Sequence, residues 1–230
     1  MQKLMNLILQ NKNNPARSIR AEANTIYFYD IIGYEEEGTA EIVKAIRGMK
    51  GDITLRINSP GGDVFAARAV ATALKEHDGE VTAYIDGWSA SAATTITMAA
   101  DKVYIAEGGF FMIHNSMTFA FGNKEELLKA AELLEKIDEA IANDYSEKTK
   151  KEKEQIKQWM DSETWFTADE AIANGFIDGK TEIKNTTKWN LAAYENAPEI
   201  PELQPAHDED VTAHIDMCNR RLQLLERCPA

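Results

Sequence analysis

The sequence is poor in the features that mark nucleic-acid, membrane, secreted and metal proteins. Positive charge is in deficit: 25 Lys and Arg face 38 Asp and Glu, a net charge of −13, and no basic block interrupts the acidity. Affinity for nucleic acid comes mainly from Lys and Arg neutralising phosphates, so no nucleic-acid partner is expected. Long apolar runs are missing too. The uncharged stretch Gly87 to Ala100 is small and hydroxyl-rich, short of the ~18–20 apolar residues a membrane span needs. Cysteine is reduced to Cys218 and Cys228, close together near the C-terminus, which cannot staple a disulfide scaffold. Met1–Gln10 has too short an apolar core, broken by Asn6, for a secretion signal. A soluble, cytoplasmic protein without a membrane partner is the expectation.

Cofactor signatures are equally scarce. Neither G-x-x-x-x-G-K-[ST] nor G-x-G-x-x-G occurs, so a phosphate cradle has no support. The histidines are His77, His114, His207 and His214, with no H-E-x-x-H and no cysteine pair at zinc spacing. No metal or organic cofactor is expected.

What is present is an alternation of strand and helix signals. Thr25–Asp30, Asp52–Asn58, Glu80–Asp86, Lys102–Ala106 and Phe110–His114 are rich in β-branched, aromatic or apolar residues and read as strands. Thr39–Met49, with Thr39 as N-cap, Val64–Leu74 and Ser91–Ala100 read as the helices between them. Such alternation builds a mainly parallel sheet with right-handed crossovers. Lys124 to about Gln158 predicts a long helix, with Leu127, Leu128, Leu134, Ile137, Ile141 and Tyr145 at helical spacing. Thr167–Asn174 predicts a short capped helix closed by Gly175. Residues 1–24 read as an arm, 25–185 as the folded domain and 186–230 as a tail. In that tail Pro198, Pro201 and Pro205 mark a linker before a helical pattern at His207–Cys228.

Three segments could carry chemistry. Asn58-Ser-Pro-Gly-Gly62 follows a strand, and its glycines let backbone N–H groups approach a ligand, although a plain tight turn explains them as well. Gly87-Trp-Ser-Ala-Ser-Ala-Ala93 places a serine at a strand-to-helix turn, where free N–H groups favour a developing oxyanion. Ser89 and Ser91 compete for that role, N-capping is the commoner use, and the G-x-S-x-G elbow is not met. Finally, His114 ends the apolar strand Phe110–Ile113. Serine nucleophiles need a neutral imidazole and an acid behind it, for which Asp161 and Glu163 are candidates.

In combination, INSPGG at 57–62, GWSASAA at 87–93, MIH at 112–114 and TADEAIANGFID at 167–178 resemble the Clp protease proteolytic subunit family. Within it, the closest likeness is to phage or prophage head-maturation (prohead) proteases. The resemblance covers residues 25–180 and implies an α/β spiral of β-β-α units, shared with crotonases, with a projecting helical handle from about Asn123 to Gln158. It implies Ser91 as nucleophile, Ser89 as a supporting small position and His114 as general base. Glu163 falls where housekeeping relatives carry Asp; it is one methylene longer, and Asp161 is the alternative acid. The oxyanion donors would be the N–H groups of Gly62 and Ala92. Extended substrate would pair near Gly61, Asp63 and Val64, and near Met117 and Phe119.

The same resemblance implies a homo-oligomer, a heptameric ring or double ring, cutting polypeptides such as capsid or scaffold precursors. Housekeeping relatives dock ATPase loops in apolar pockets, but the corresponding positions here are Thr54, Arg56 and Glu76, so docking of a Clp ATPase is doubtful. Two other readings stand beside the endopeptidase: a crotonase-like acyl-CoA enzyme, and a catalytically idle assembly protein with the same fold.

Overall fold

The architecture is that of a computed structural model, which describes residues 17–33, 36–184 and 194–198. Residues 1–16, 34–35, 185–193 and 199–230, and with them the proposed helix at His207–Cys228 and both tail histidines, lie outside the described residues.

Among the described residues, one sheet of eight strands organises the fold. Strand β1 (Ile19–Glu22) pairs antiparallel with β2 (Thr25–Phe28), and β2, β3 (Ile53–Ser59), β4 (Val81–Ala90), β5 (Lys102–Glu107) and β8 (Gly179–Lys184) then run parallel. The sheet thus begins at Ile19, inside the segment read as an arm. Between the strands lie α1 (Glu36–Gly48), α2 (Val64–Lys75) and α3 (Ala92–Thr97). Thr39 lies inside α1, whereas α2 starts as its sequence suggests, with Asp63 capping it by accepting from Ala66 N–H at 2.7 Å.

Alternation within the strands sorts the two faces. Ile26, Phe28, Leu55, Ile57, Ala83, Ile85, Val103 and Ile105 are buried on the helix side, the main hydrophobic contribution to stability. On the other face the register aligns Tyr27, Arg56, Tyr84 and Tyr104 across four strands. There Arg56 Nε donates to Asp86 at 2.9 Å, and the Tyr29 hydroxyl donates to the same carboxylate. Burial first, then Asp86, pushes the Tyr29 phenol up to about 12.

Strand β4 is longer than its sequence signal, and this decides the site. Thr82–Ile85 pair with β5, but the strand continues straight through Gly87 and Trp88–Ala90 pair with β6 (Phe110–Ile113). The turn expected within Gly87–Ala93 is therefore not made at Gly87. The chain bends at Ser91 instead. Strand β7 (Thr164–Thr167), not anticipated, pairs antiparallel with β6.

The long helix divides into α4 (Lys124–Thr149) and α5 (Lys153–Asp161), because Lys150 adopts a left-handed conformation at φ 59° that ends α4. Asn123 and Glu126 form a reciprocal capping box at its start. Ile141, Ala142 and Tyr145 are buried, while Leu127, Leu128 and Leu133 are exposed. The apolar stripe is thus split, with its C-terminal half in the core and its N-terminal half in solvent. The last helix among the described residues, α6 (Ala168–Ala173), carries the expected Thr167 cap.

Candidate active site

Ser91 sits where β4 ends. Its N–H donates to Met112 O at 3.0 Å, continuing the β4–β6 ladder, and its carbonyl accepts from Thr94 N–H at 2.9 Å, opening α3. Caught between two ladders, it adopts φ 54° and ψ −128° and makes no side-chain cap bond. A non-glycine residue there carries strain of about 1–3 kcal/mol, a cost found mostly at functional sites. The geometry leaves Oγ free to point at His114, whose Nε2 lies 2.7 Å away. Ser89 is fully buried and its hydroxyl pairs with Thr97 Oγ1 at 2.7 Å. Alternation alone would turn both serines, two residues apart, to one face of β4; the bend at Ser91 separates them.

The INSPGG turn packs directly on this bend. A Cβ on Gly61 would lie 2.6 Å from Ala90 O and 2.7 Å from Ser91 Cβ, and one on Gly62 would lie 2.1 Å from Ile32 O. Both glycines have positive φ, 96° and 147°, so glycine is required twice over. Ile32 N–H donates to Gly61 O and Asp63 N–H donates to Ile32 O, each at 2.8 Å. In a parallel bridge of this kind the residue between the bonded groups turns its own N–H and C=O to the opposite side. Gly62 N–H therefore points away from Ile32, whereas Gly61 O and Asp63 N–H are already engaged. Val64, the first residue of α2, is half-buried. Ala92 is buried at the start of α3, and Met117 and Phe119 are exposed beyond β6.

His114 follows β6, the strand paired to the serine's own, so one register aligns both residues. Burial lowers its pKa below the ordinary value, with the negative charges of Glu163 and then Asp138 opposing that shift. The imidazole is therefore neutral at pH 7, as a proton acceptor must be.

The acids are arranged less simply. Glu163 lies at φ 45° in the turn between α5 and β7, and its Oε1 accepts from Asn196 N–H at 2.7 Å and from Trp165 Nε1 at 3.3 Å. Asp161 accepts from Asn115 Nδ2 at 2.8 Å. Among the described residues no hydrogen bond joins either acid to His114. Asp138, missed in the sequence, accepts from Ser116 N–H at 2.6 Å. Its signal was a lone acid within the stripe Leu134, Ile137, Ile141. Tyr194, also missed, sets its ring edge-on to His114 with centroids 5.7 Å apart; it lies in a stretch without periodicity, where no pattern points to it.

Comparison with known proteins bears on the family and the fold. The Clp protease family model matches residues 36–183. The ATP-dependent Clp protease proteolytic subunit of Leuconostoc citreum is 30% identical over 144 residues, covering 60% of this chain and 72% of that protein. The same-named subunit of Streptococcus suis is 33% identical over 148 residues, covering 60% and 70%. Among solved structures, a ClpP1 mutant from Listeria monocytogenes superposes with a TM-score of 0.62 at 27% identity, over 70% of this chain and 92% of that one.

Proposed function

Because the chain belongs to the Clp protease family and is thus a serine-type endopeptidase of that fold, we propose that Ser91, His114 and Glu163 form its catalytic triad. The observation that carries this reading is the 2.7 Å contact of Ser91 Oγ with His114 Nε2 at a serine held at positive φ. Ser91 Oγ attacks the scissile carbonyl while His114 Nε2 takes its proton. The tetrahedral oxyanion is met by the N–H groups of Gly62 and Ala92. Collapse returns the proton from His114 to the leaving amine, and water repeats the sequence on the acyl-enzyme. Glu163 stabilises the imidazolium, as its pull on the His114 pKa indicates. Asp161, engaged by Asn115, is the weaker candidate.

Substrate is a polypeptide read mainly through its backbone as an added strand, running between the Gly61–Val64 turn and the Met117–Phe119 stretch. Gly62 supplies the free backbone groups on the first side. The exposed leucines of α4 support assembly through the handles into a ring, a heptamer or a pair of them, in the cytoplasm of the cell that makes it. No helix among the described residues is long and apolar enough to cross a membrane. Capsid or scaffold precursors are the proposed substrates, tested by co-expression with candidate capsid proteins. Docking of a Clp ATPase is disfavoured, because Arg56 is tied to Asp86 and Glu76 lies 3.5 Å from Arg47. Stimulated degradation of a folded substrate by such an ATPase would refute that.

Ser91→Ala is expected to abolish fluorophosphonate labelling and peptide cleavage while the assembly persists. Cleavage retained in that variant overturns the assignment, and absence of labelling both in the unmodified protein and in Tyr194→Ala favours an idle assembly protein. The acyl-CoA reading gains no support from a match to the Clp model over residues 36–183.

A further inference from the structure

The described stretch of the tail, residues 194–198, lies on the candidate active site. Tyr194 packs edge-on against His114 and against Trp165, with centroids 5.7 Å apart in each case. Its hydroxyl donates to Pro60 O, in the INSPGG turn, and lies within reach of the Ser91 side chain. Two residues on, Asn196 N–H donates to Glu163 Oε1 at 2.7 Å and Asn196 Nδ2 donates to Ser162 O at 2.9 Å. The chain's own segment thus contacts base, nucleophile, acid and oxyanion turn together.

A peptide substrate needs the same ground, since its scissile carbonyl must reach Ser91 Oγ and its backbone must lie beside Gly62. The Tyr194 ring lies against His114 and its hydroxyl reaches Pro60 in the glycine turn. Burial and the charge of Glu163 raise the phenol's pKa above its ordinary value, so the hydroxyl stays a donor at any working pH, matched to a carbonyl acceptor. The Asn196 amide also occupies the carboxylate that the imidazole requires.

We propose that the space bounded by Pro60, Ser91, His114 and Trp165 is a subsite for an aromatic side chain bearing a hydrogen-bond donor, and that Tyr194 fills it as an intrasteric pseudosubstrate. The proposal rests on the protease reading given above. Withdrawal of residues 194–196 opens the subsite and frees Glu163 to turn towards His114. Substrates carrying tyrosine compete for the same place.

The test measures the rate of Ser91 labelling by a fluorophosphonate in the full chain, in Tyr194→Phe and in Tyr194→Ala. Labelling is expected to rise about tenfold or more in Tyr194→Ala, the loss of a packed ring and a hydrogen bond, and by a smaller factor in Tyr194→Phe. In parallel, the peptide Leu-Ala-Ala-Tyr-Glu-Asn-Ala-Pro, the sequence of residues 191–198, is titrated into a Ser91→Ala, Tyr194→Ala chain by calorimetry. It is expected to bind, and its Tyr-to-Ala version to bind at least about tenfold more weakly. Measurable labelling at equal rates in all three chains, or peptide binding indifferent to the tyrosine, overturns the proposal. No labelling in any variant, with tyrosine-dependent peptide binding intact, counts against the protease reading and supports the subsite.

Discussion

Ser91 and Glu163 are both non-glycine residues at positive φ, 54° and 45°, yet the two halves of the site are secured in different ways. The serine half is a product of sheet register. Ser91 N–H continues the β4–β6 ladder, Ser91 O opens α3, and His114 follows the strand that pairs with the serine's own. The acid half hangs on a turn after α5, and the Glu163 carboxylate is held by Trp165 and by Asn196, a residue far along the chain. Regular backbone pairing fixes a reacting geometry within the domain. The acid, held by side chains and a distant amide, is free to change partners.

The largest effect is expected where register matters most. Gly62→Ala would place a Cβ 2.1 Å from Ile32 O, which backbone cannot yield without moving the turn. Losing one oxyanion donor costs about 10²–10³ in kcat, so turnover is expected to fall at least that far while the His114–Ser91 pair stays in place. Peptide hydrolysis combined with fluorophosphonate labelling measures both halves. A Gly62→Ala chain with ordinary turnover would show that the glycine turn is only a turn.

The acid half should yield a smaller and more divided response. Glu163→Gln is expected to lower kcat by about 10–100-fold, short of the ~10⁴ seen when a tightly bonded triad acid is lost. Asp161→Asn should change it by less than about threefold, as expected for a surface contact. The reverse order would make Asp161 the acid. The pH profile supplies an independent sign. Because Glu163 and Asp138 raise the His114 pKa against the lowering by burial, neutralising either lets it fall further. The acid limb of kcat/KM lies below the ordinary imidazole value and is expected to move to lower pH in Glu163→Gln and in Asp138→Asn. A shift to higher pH would contradict the placement of these charges.

The same contrast explains what was legible in the sequence. The glycines of INSPGG and the GWSASAA segment are short local patterns, and the fold supplies their steric reason: each forbidden Cβ contact of Gly61 and Gly62 involves the other motif or Ile32. The parallel order of β2 to β5 follows from alternation with helices. Strand β7 was invisible because Thr164–Thr167 is only four residues long, and β4 was cut short because Gly87 reads as a turn when its pairing with β6 is unknown. The split of α4 from α5 rests on a left-handed lysine, which no propensity favours. Asp138 and Tyr194 reach the site only through tertiary packing, so periodicity carried no mark of their position beside His114.

The smallest expected effect concerns the outer anchor of the acid half. Lys153 and Lys157 of α5 both pair with Glu139 of α4, at 2.5 and 2.6 Å, and hold its carboxyl down to about 2. A folded pKa below the unfolded value means stability that is present above the ordinary carboxylate pKa and fades as pH falls towards about 2. Lys157 is exposed and Glu139 and Lys153 are only half-buried, however, so solvent and salt screen the gain. Glu139→Gln is therefore expected to leave the denaturation midpoint at pH 7 within error of the parent and to leave turnover unchanged, with any difference confined to low salt. A clear loss of activity in this variant would mean that α5 positions Glu163 through its surface charges. An unchanged rate, set beside a response to Tyr194→Ala, would assign that task to the segment that carries Asn196.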